Sequence, residues 1–151
     1  MSEKVLWGDL ETYCDTPINN GTHAYAECVE VMLFAWAIDD GPVSVWDLTA
    51  GEPIPSQLRK AIANPDIILY FHNSHFDRTM LRHAMPELAP DVTRWRDTMV
   101  QALAHSLPGA LGALCEVLGV PQDKAKDKEG KALIQLFCKP RPKNSKLRRA
   151  T

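Results

Sequence analysis

The sequence predicts an α/β domain on a mixed sheet, antiparallel over its first three strands and parallel thereafter, with helices on its flanks. Three observations carry this prediction. Two apolar-rich runs, residues 4–11 and 28–38, precede the first clear helical period. The turn Asp39-Asp40-Gly41-Pro42 leads from the second run into an alternating segment, the pattern of an antiparallel hairpin. Beyond Pro53, helical stretches flank a short, almost wholly apolar strand, as in α/β sheets buried under helices.

Each element follows from local chemistry. Residues 4–11 read as the first strand, and 13–22, with Pro17, Asn19, Asn20 and Gly21, as a loop. Residues 28–38 are apolar, β-branched and aromatic enough for a strand buried on both faces, and 43–46 alternate as its hairpin partner. Residues 53–63 form a helix with Pro55 in its first turn and Leu58, Ala61 and Ile62 on one face. Asn64-Pro65 stops it, and 66–71 (DIILYF) is the next strand. After the loop His72-Asn73-Ser74, a helix runs to about His83 on an inner stripe of Phe76, Met80, Leu81 and Ala84. Residues 95–105 read as a strand end running into a helix that Pro108-Gly109 breaks. Leu111, Leu114, Cys115 and Leu118 mark another helix, 122–130 a charged exposed segment, and 131–137 a short last helix.

At 151 residues the chain is long enough for one domain with a proper core. Net charge is −2, but the six basic residues of 139–151 face no acid, which leaves residues 1–138 at −8. An acidic body suits cation binding better than unaided phosphate binding. Cys14, Cys28, Cys115 and Cys138 show no paired spacing, so neither a zinc site nor a disulfide framework is indicated. Met1 leads into polar residues without a signal peptide, and no apolar run is long enough to span a membrane. The expected setting is a reducing cytoplasm with free thiols.

The chemistry concentrates at Asp9-Leu10-Glu11-Thr12. In a strand, side chains two apart share a face, so Asp9 and Glu11 stand together at about 6.5 Å between Cα atoms. Such carboxylates repel unless a proton or cation lies between them, and oxygen donors suit Mg²⁺ or Mn²⁺. An exposed acidic strand end is the alternative. A second acid, Asp77, follows the buried strand through His72-Asn73-Ser74-His75-Phe76, beyond a strand's carboxyl end where α/β sheets hold ligands. Ser74-x-x-Asp77 is also the pattern of a capping box, in which the acid only caps its own helix.

Taken together, Asp9-Leu10-Glu11-Thr12 and Asn73-Ser74-His75-Phe76-Asp77 resemble the first two motifs of the DEDD superfamily of 3′–5′ exonucleases. Asp97-Thr98-Met99, Leu107-Pro108-Gly109-Ala110-Leu111 and the stretch 133–140 (LIQLFCKP) are similar to the corresponding parts of phage family A DNA polymerases. The resemblance covers nearly the whole chain and implies a ribonuclease H-like sheet. It makes Asp9, Glu11 and Asp77 ligands of two Mg²⁺ or Mn²⁺ ions, Asp9 bridging them. It sets Thr12 beside the terminal nucleotide, with Leu10 and Asn73 lining its pocket. It implies a proofreading exonuclease domain over 1–138, a basic tail or linker over 139–151, a single-stranded DNA 3′ end as substrate, and a polymerase domain C-terminal to it. If phage-encoded, the protein works in the host cytoplasm.

The family pattern also calls for a fourth acid on a late helix, preceded by Tyr or His. Here no acid follows Glu129 and no Tyr or His follows His105. The expectation is an exonuclease domain cut short of its last motif, weakly active or inactive as it stands. A stand-alone exonuclease on RNA or oligonucleotides and a non-catalytic nucleic-acid-binding module remain open at this point. His72, His75, His83 and His105 read as loop or surface residues, and Trp7, Trp36 and Trp46 as core.

Overall fold

A computed structural model describes residues 4–121 and 128–146 of the chain. Most of the charged segment expected at 122–130, and the last part of the basic tail, fall outside them. Five strands form one sheet among the described residues: β1 (Val5–Tyr13), β2 (Glu30–Ile38), β3 (Ser44–Asp47), β4 (Ile68–Phe71) and β5 (Trp95–Asp97), in the order β3-β2-β1-β4-β5. β1–β2 and β2–β3 pair antiparallel, while β1–β4 and β4–β5 pair parallel. This is the ribonuclease H-like mixed sheet the sequence predicts.

Alternation along β1 sorts its side chains. Leu6 and Leu10 are buried, whereas Trp7 and Asp9 are exposed. The buried face meets α2 (Ser56–Ala63) and α3 (Ser74–Ala84), whose Leu58, Ile62, Met80 and Leu81 close a core with Phe34, Leu69 and Phe71. Fully burying one such side chain contributes about 1.5–3 kcal/mol. Gly8 is required by this packing. A Cβ there would lie 2.2 Å from the Phe71 ring, itself wedged between Phe34 and Trp95 at centroid distances of 6.1 and 4.8 Å.

Several expectations need correction. β1 continues two residues past Glu11, through a register shift between Glu11 and Thr12. The presumed loop at 13–22 holds a 3₁₀ turn (Ile18–Asn20) and leads into a short helix, α1 (Thr22–Ala26), too brief for a 3.6-residue period to show. Cys14 and Cys28 are joined as a disulfide, Cα atoms 5.5 Å apart, because the β1–β2 pairing brings the end of one strand to the start of the other. Trp7 is 43% exposed and packs on Tyr70 across the open face of the sheet, so it is not core; Trp36 and Trp46 are. The last helices are α4 (Thr98–Ala104), α5 (Leu111–Val117) and α6 (Lys128–Phe137), α6 starting three residues before the expected position. Leu111 and Leu118, expected to be covered, are exposed, and Leu114 is the buried member of their stripe.

Candidate metal centre

The site arises from a mismatch in strand length. β4 pairs only with Val5–Trp7 of β1, so β1 runs on with a bare edge on that side. Asp77, one turn into α3, fills the gap: the Leu10 amide donates to its Oδ1 at 3.3 Å. Because Leu10 separates Asp9 from Glu11, this bond seats Asp77 at the very stretch of β1 that carries the other two acids. Asp77 does not close a capping box, and the helix begins at Asn73 without a side-chain cap of its own. The register shift after Glu11 breaks the alternation, so Thr12, Tyr13 and Cys14 are buried in succession and Glu11 is half-buried. Bulges of this kind re-aim side chains beside functional sites.

The electrostatics match that arrangement. Asp77 is 4% exposed, and its carboxyl is pushed up to about 8, first by burial and then by the negative charge of Asp9, with the Leu10 amide opposing the rise. Near neutral pH, with no cation present, Asp77 holds a proton. Burial also pushes the Tyr25 phenol up, with Cys138 and Glu11 adding to the effect.

Two adjoining cavities open from the acids. The smaller, about 370 Å³, is lined by Leu10, Glu11, Thr12, Tyr25, Phe76, Ile134 and Cys138, with Lys139 and Pro140 at the start of the basic tail. The broader cleft, about 1190 Å³, is lined by Asp9, Glu11, Asn73, Met99, Leu111 and Phe137 among others. The Thr12 and Tyr25 hydroxyls are bonded at 3.0 Å, and the Cys138 thiol donates to Glu11 Oε2 at 3.5 Å. Each of the six sequence-predicted site residues therefore borders one of these cavities or, as Asp77 does, bonds to a residue that does. Tyr25 and Cys138 were not anticipated: Tyr25 lies in α1, between the loop read at 13–22 and the strand read from 28, and Cys138 reaches Glu11 only through α6. His72 is tied to Thr98 Oγ1 (2.9 Å) and to the Gly109 carbonyl (2.8 Å), while His75, His83 and His105 are exposed.

Among the described residues, no three His, Cys, Asp or Glu side chains converge tightly enough to hold a metal ion by themselves. The donor set is nonetheless the right kind for a hard cation that keeps several water ligands, as Mg²⁺ does. A carboxyl pushed up first by burial and then by a neighbouring carboxylate is the state a cation would relieve.

The fold is ribonuclease H-like, a mixed five-stranded sheet with helices on its flanks. Brucella melitensis NrnC is similar in structure (TM-score 0.57, 20% identity, 82% of this chain and 55% of that one), and it has also been solved with bound Mg²⁺ and bound to pGG. The exonuclease I structure in its ExoI/SSB-Ct complex is similar over 83% of this chain and 38% of that one (TM-score 0.55, 14% identity). In sequence, the chain is 36% identical over 148 residues, 93% of its length, to the DNA polymerase of Bacillus phage SP02. It spans 22% of that polymerase's length. No protein-family model matches the chain. No helix among the described residues is long and apolar enough to cross a membrane.

Proposed function

We propose that residues 1–138 are the 3′–5′ exonuclease domain of a DNA polymerase, removing nucleotides from single-stranded DNA 3′ ends in proofreading. The observation that carries this reading is the Asp77 carboxyl bonded to the Leu10 amide between Asp9 and Glu11. The likeness to a phage DNA polymerase supports the polymerase context, with 139–151 as a basic linker and the polymerase domain elsewhere in a longer protein.

In this reading Asp9, Glu11 and Asp77 would hold two Mg²⁺ or Mn²⁺ ions. Metal ions so held activate water and relieve charge on a leaving oxygen. The chain's own residues bind and orient. Leu10, Thr12, Tyr25 and Phe76 take the terminal nucleotide in the smaller cavity, Asn73 borders the adjoining cleft, and Lys139 offers a positive charge to phosphate. No acid follows Glu129 in the sequence, and Asp97 is committed to backbone amides. Turnover by the 151-residue chain is accordingly low.

A second reading, a stand-alone exonuclease on RNA or short oligonucleotides, draws on the fold shared with NrnC, which has been solved bound to pGG. Thermal denaturation with Mn²⁺, followed by degradation assays on 3′-labelled single-stranded DNA and RNA, separates the readings. A melting point that Mn²⁺ raises in the parent but not in Asp9→Ala supports the metal site. Indifference of the parent to Mn²⁺ would leave a non-catalytic module. Preferred cleavage of RNA would favour the second reading.

A further inference from the structure

The Asp77-bearing helix is held from outside itself. Asn73, at its start, is left-handed (φ 63°, ψ 53°) and gives no side-chain cap. The free amides of Asn73 and Ser74 turn instead to a carboxylate on another element: Asn73 N–H donates to Asp97 Oδ1 at 2.9 Å, and Ser74 N–H to Asp97 Oδ2 at 2.8 Å. The Ser74 hydroxyl adds a contact to Oδ2 at 3.3 Å. Asp97 Oδ1 also accepts from the Met99 amide at 2.8 Å, which caps α4. One side chain at the end of β5 thus fastens the first turns of two helices.

We propose that Asp97 is a positioning residue for the metal site: it fixes the rotation of α3 so that Asp77 meets Leu10 between Asp9 and Glu11. An α-helix turns about 100° per residue, so a slip of one residue in the first turn would swing Asp77 off β1. Asp77 lies four residues from the Asn73 amide that Asp97 holds, little more than one turn, and the N-cap residue Asn73 itself makes no side-chain cap. Charged acceptors at helix N-termini are among the stronger hydrogen-bond partners. The inference rests on the proposed metal-binding role of Asp77 for its functional meaning, but its geometric core does not.

The test uses the 151-residue chain with Asp97→Asn, Asp97→Ser and, as control, Asp91→Asn. Asp91 makes a comparable local cap, accepting from Thr93 N–H at 2.9 Å, away from the acids. Asp97→Ser keeps a short acceptor for the Met99 amide but cannot span both α3 amides, which separates capping of α4 from positioning of α3. The first readout, without metal, is hydrogen exchange at the Leu10 amide, whose partner is Asp77. Expected is a loss of protection of about tenfold or more at Leu10 in both Asp97 variants, with the central amides of Phe34 and Leu69 unchanged. The second is Mn²⁺ affinity from denaturation, expected to fall by about 10–100-fold, the range for groups that orient metal ligands. Asp91→Asn should alter neither. Unchanged Leu10 protection in Asp97→Ser overturns the proposal, as does equal loss in Asp91→Asn. A parent that ignores Mn²⁺ while its Asp97 variants lose Leu10 protection would overturn the metal reading and leave the positioning role standing.

Discussion

The Asp77 carboxylate accepts a hydrogen bond from the Leu10 amide 67 residues earlier, at 3.3 Å, and is shielded from solvent there. This contact joins the two acidic motifs, and its protonation carries a measurable consequence. The folded carboxyl lies near 8, above its ordinary 3.8, so folding favours the protonated form. Stability from this group is full below about pH 4 and is lost as pH rises toward 8, at roughly 1.4 kcal/mol per unit through the window. Urea denaturation of the metal-free chain between pH 4 and 9 should show this slope, and Asp77→Asn should flatten it. A parent profile rising from pH 5 to 8 would contradict the assignment.

Metal should reverse that trend. A cation needs the deprotonated carboxylate, so it competes with the proton. The rise in melting point at a fixed Mn²⁺ concentration is expected to be larger at pH 8 than at pH 6. Equal shifts at both pH values would show that the ion binds elsewhere.

Removing Asp9 should separate stability from function. Its charge is the second cause of the Asp77 shift, so Asp9→Ala relieves a repulsion while deleting a donor. The metal-free variant should be more stable than the parent at pH 8, by about 1 kcal/mol, and should lose the Mn²⁺ response. Chemical denaturation with and without Mn²⁺ checks both halves.

How much of this was legible in the sequence depends on the range of the interaction. The strand carrying Asp9 and Glu11, the buried strand expected at 66–71 and found at 68–71, and the stripe of α3 rest on local patterns, and the two strands stand within two residues of where those patterns put them. The partner of Asp77 did not follow locally. Ser74-x-x-Asp77 matches a capping box as well as it matches any longer contact, and only the end of β4 at Phe71 decides between them. The cap on α3 comes from Asp97, 23 residues beyond Ser74, and the Cys14–Cys28 link and the exposure of Trp7 likewise depend on strand register. A spacing rule sees none of these, because each joins elements that meet only after folding.

Gly8 offers a test of the packing beneath the acids. Its missing side chain makes room for the Phe71 ring, 2% exposed and enclosed by Phe34 and Trp95. Gly8→Ala should destabilise the chain by about 1–3 kcal/mol, the usual cost of overfilling a packed core. Since Gly8 precedes Asp9, the Mn²⁺ response should weaken as well. A neutral effect in denaturation would mean that Phe71 can yield.

Asn73 tests the turn into α3. Its left-handed backbone suits glycine at least as well, so Asn73→Gly should leave stability nearly unchanged, whereas Asn73→Ala should cost about 1 kcal/mol. The difference between the two melting points isolates the backbone term from any contact the side chain makes with nucleic acid.

β4 stops at Phe71, and that early stop has a wider meaning. Two further residues on β4, continuing in parallel register, would supply carbonyls to the vacant rim of β1 and satisfy the Leu10 amide from the sheet itself. Asp77 would then be evicted, however faithfully every acid were kept. The capacity of this domain to gather its carboxylates is in that sense a property of an unfinished ladder, and engineering that heals the ladder should erase the centre without touching one of its acids.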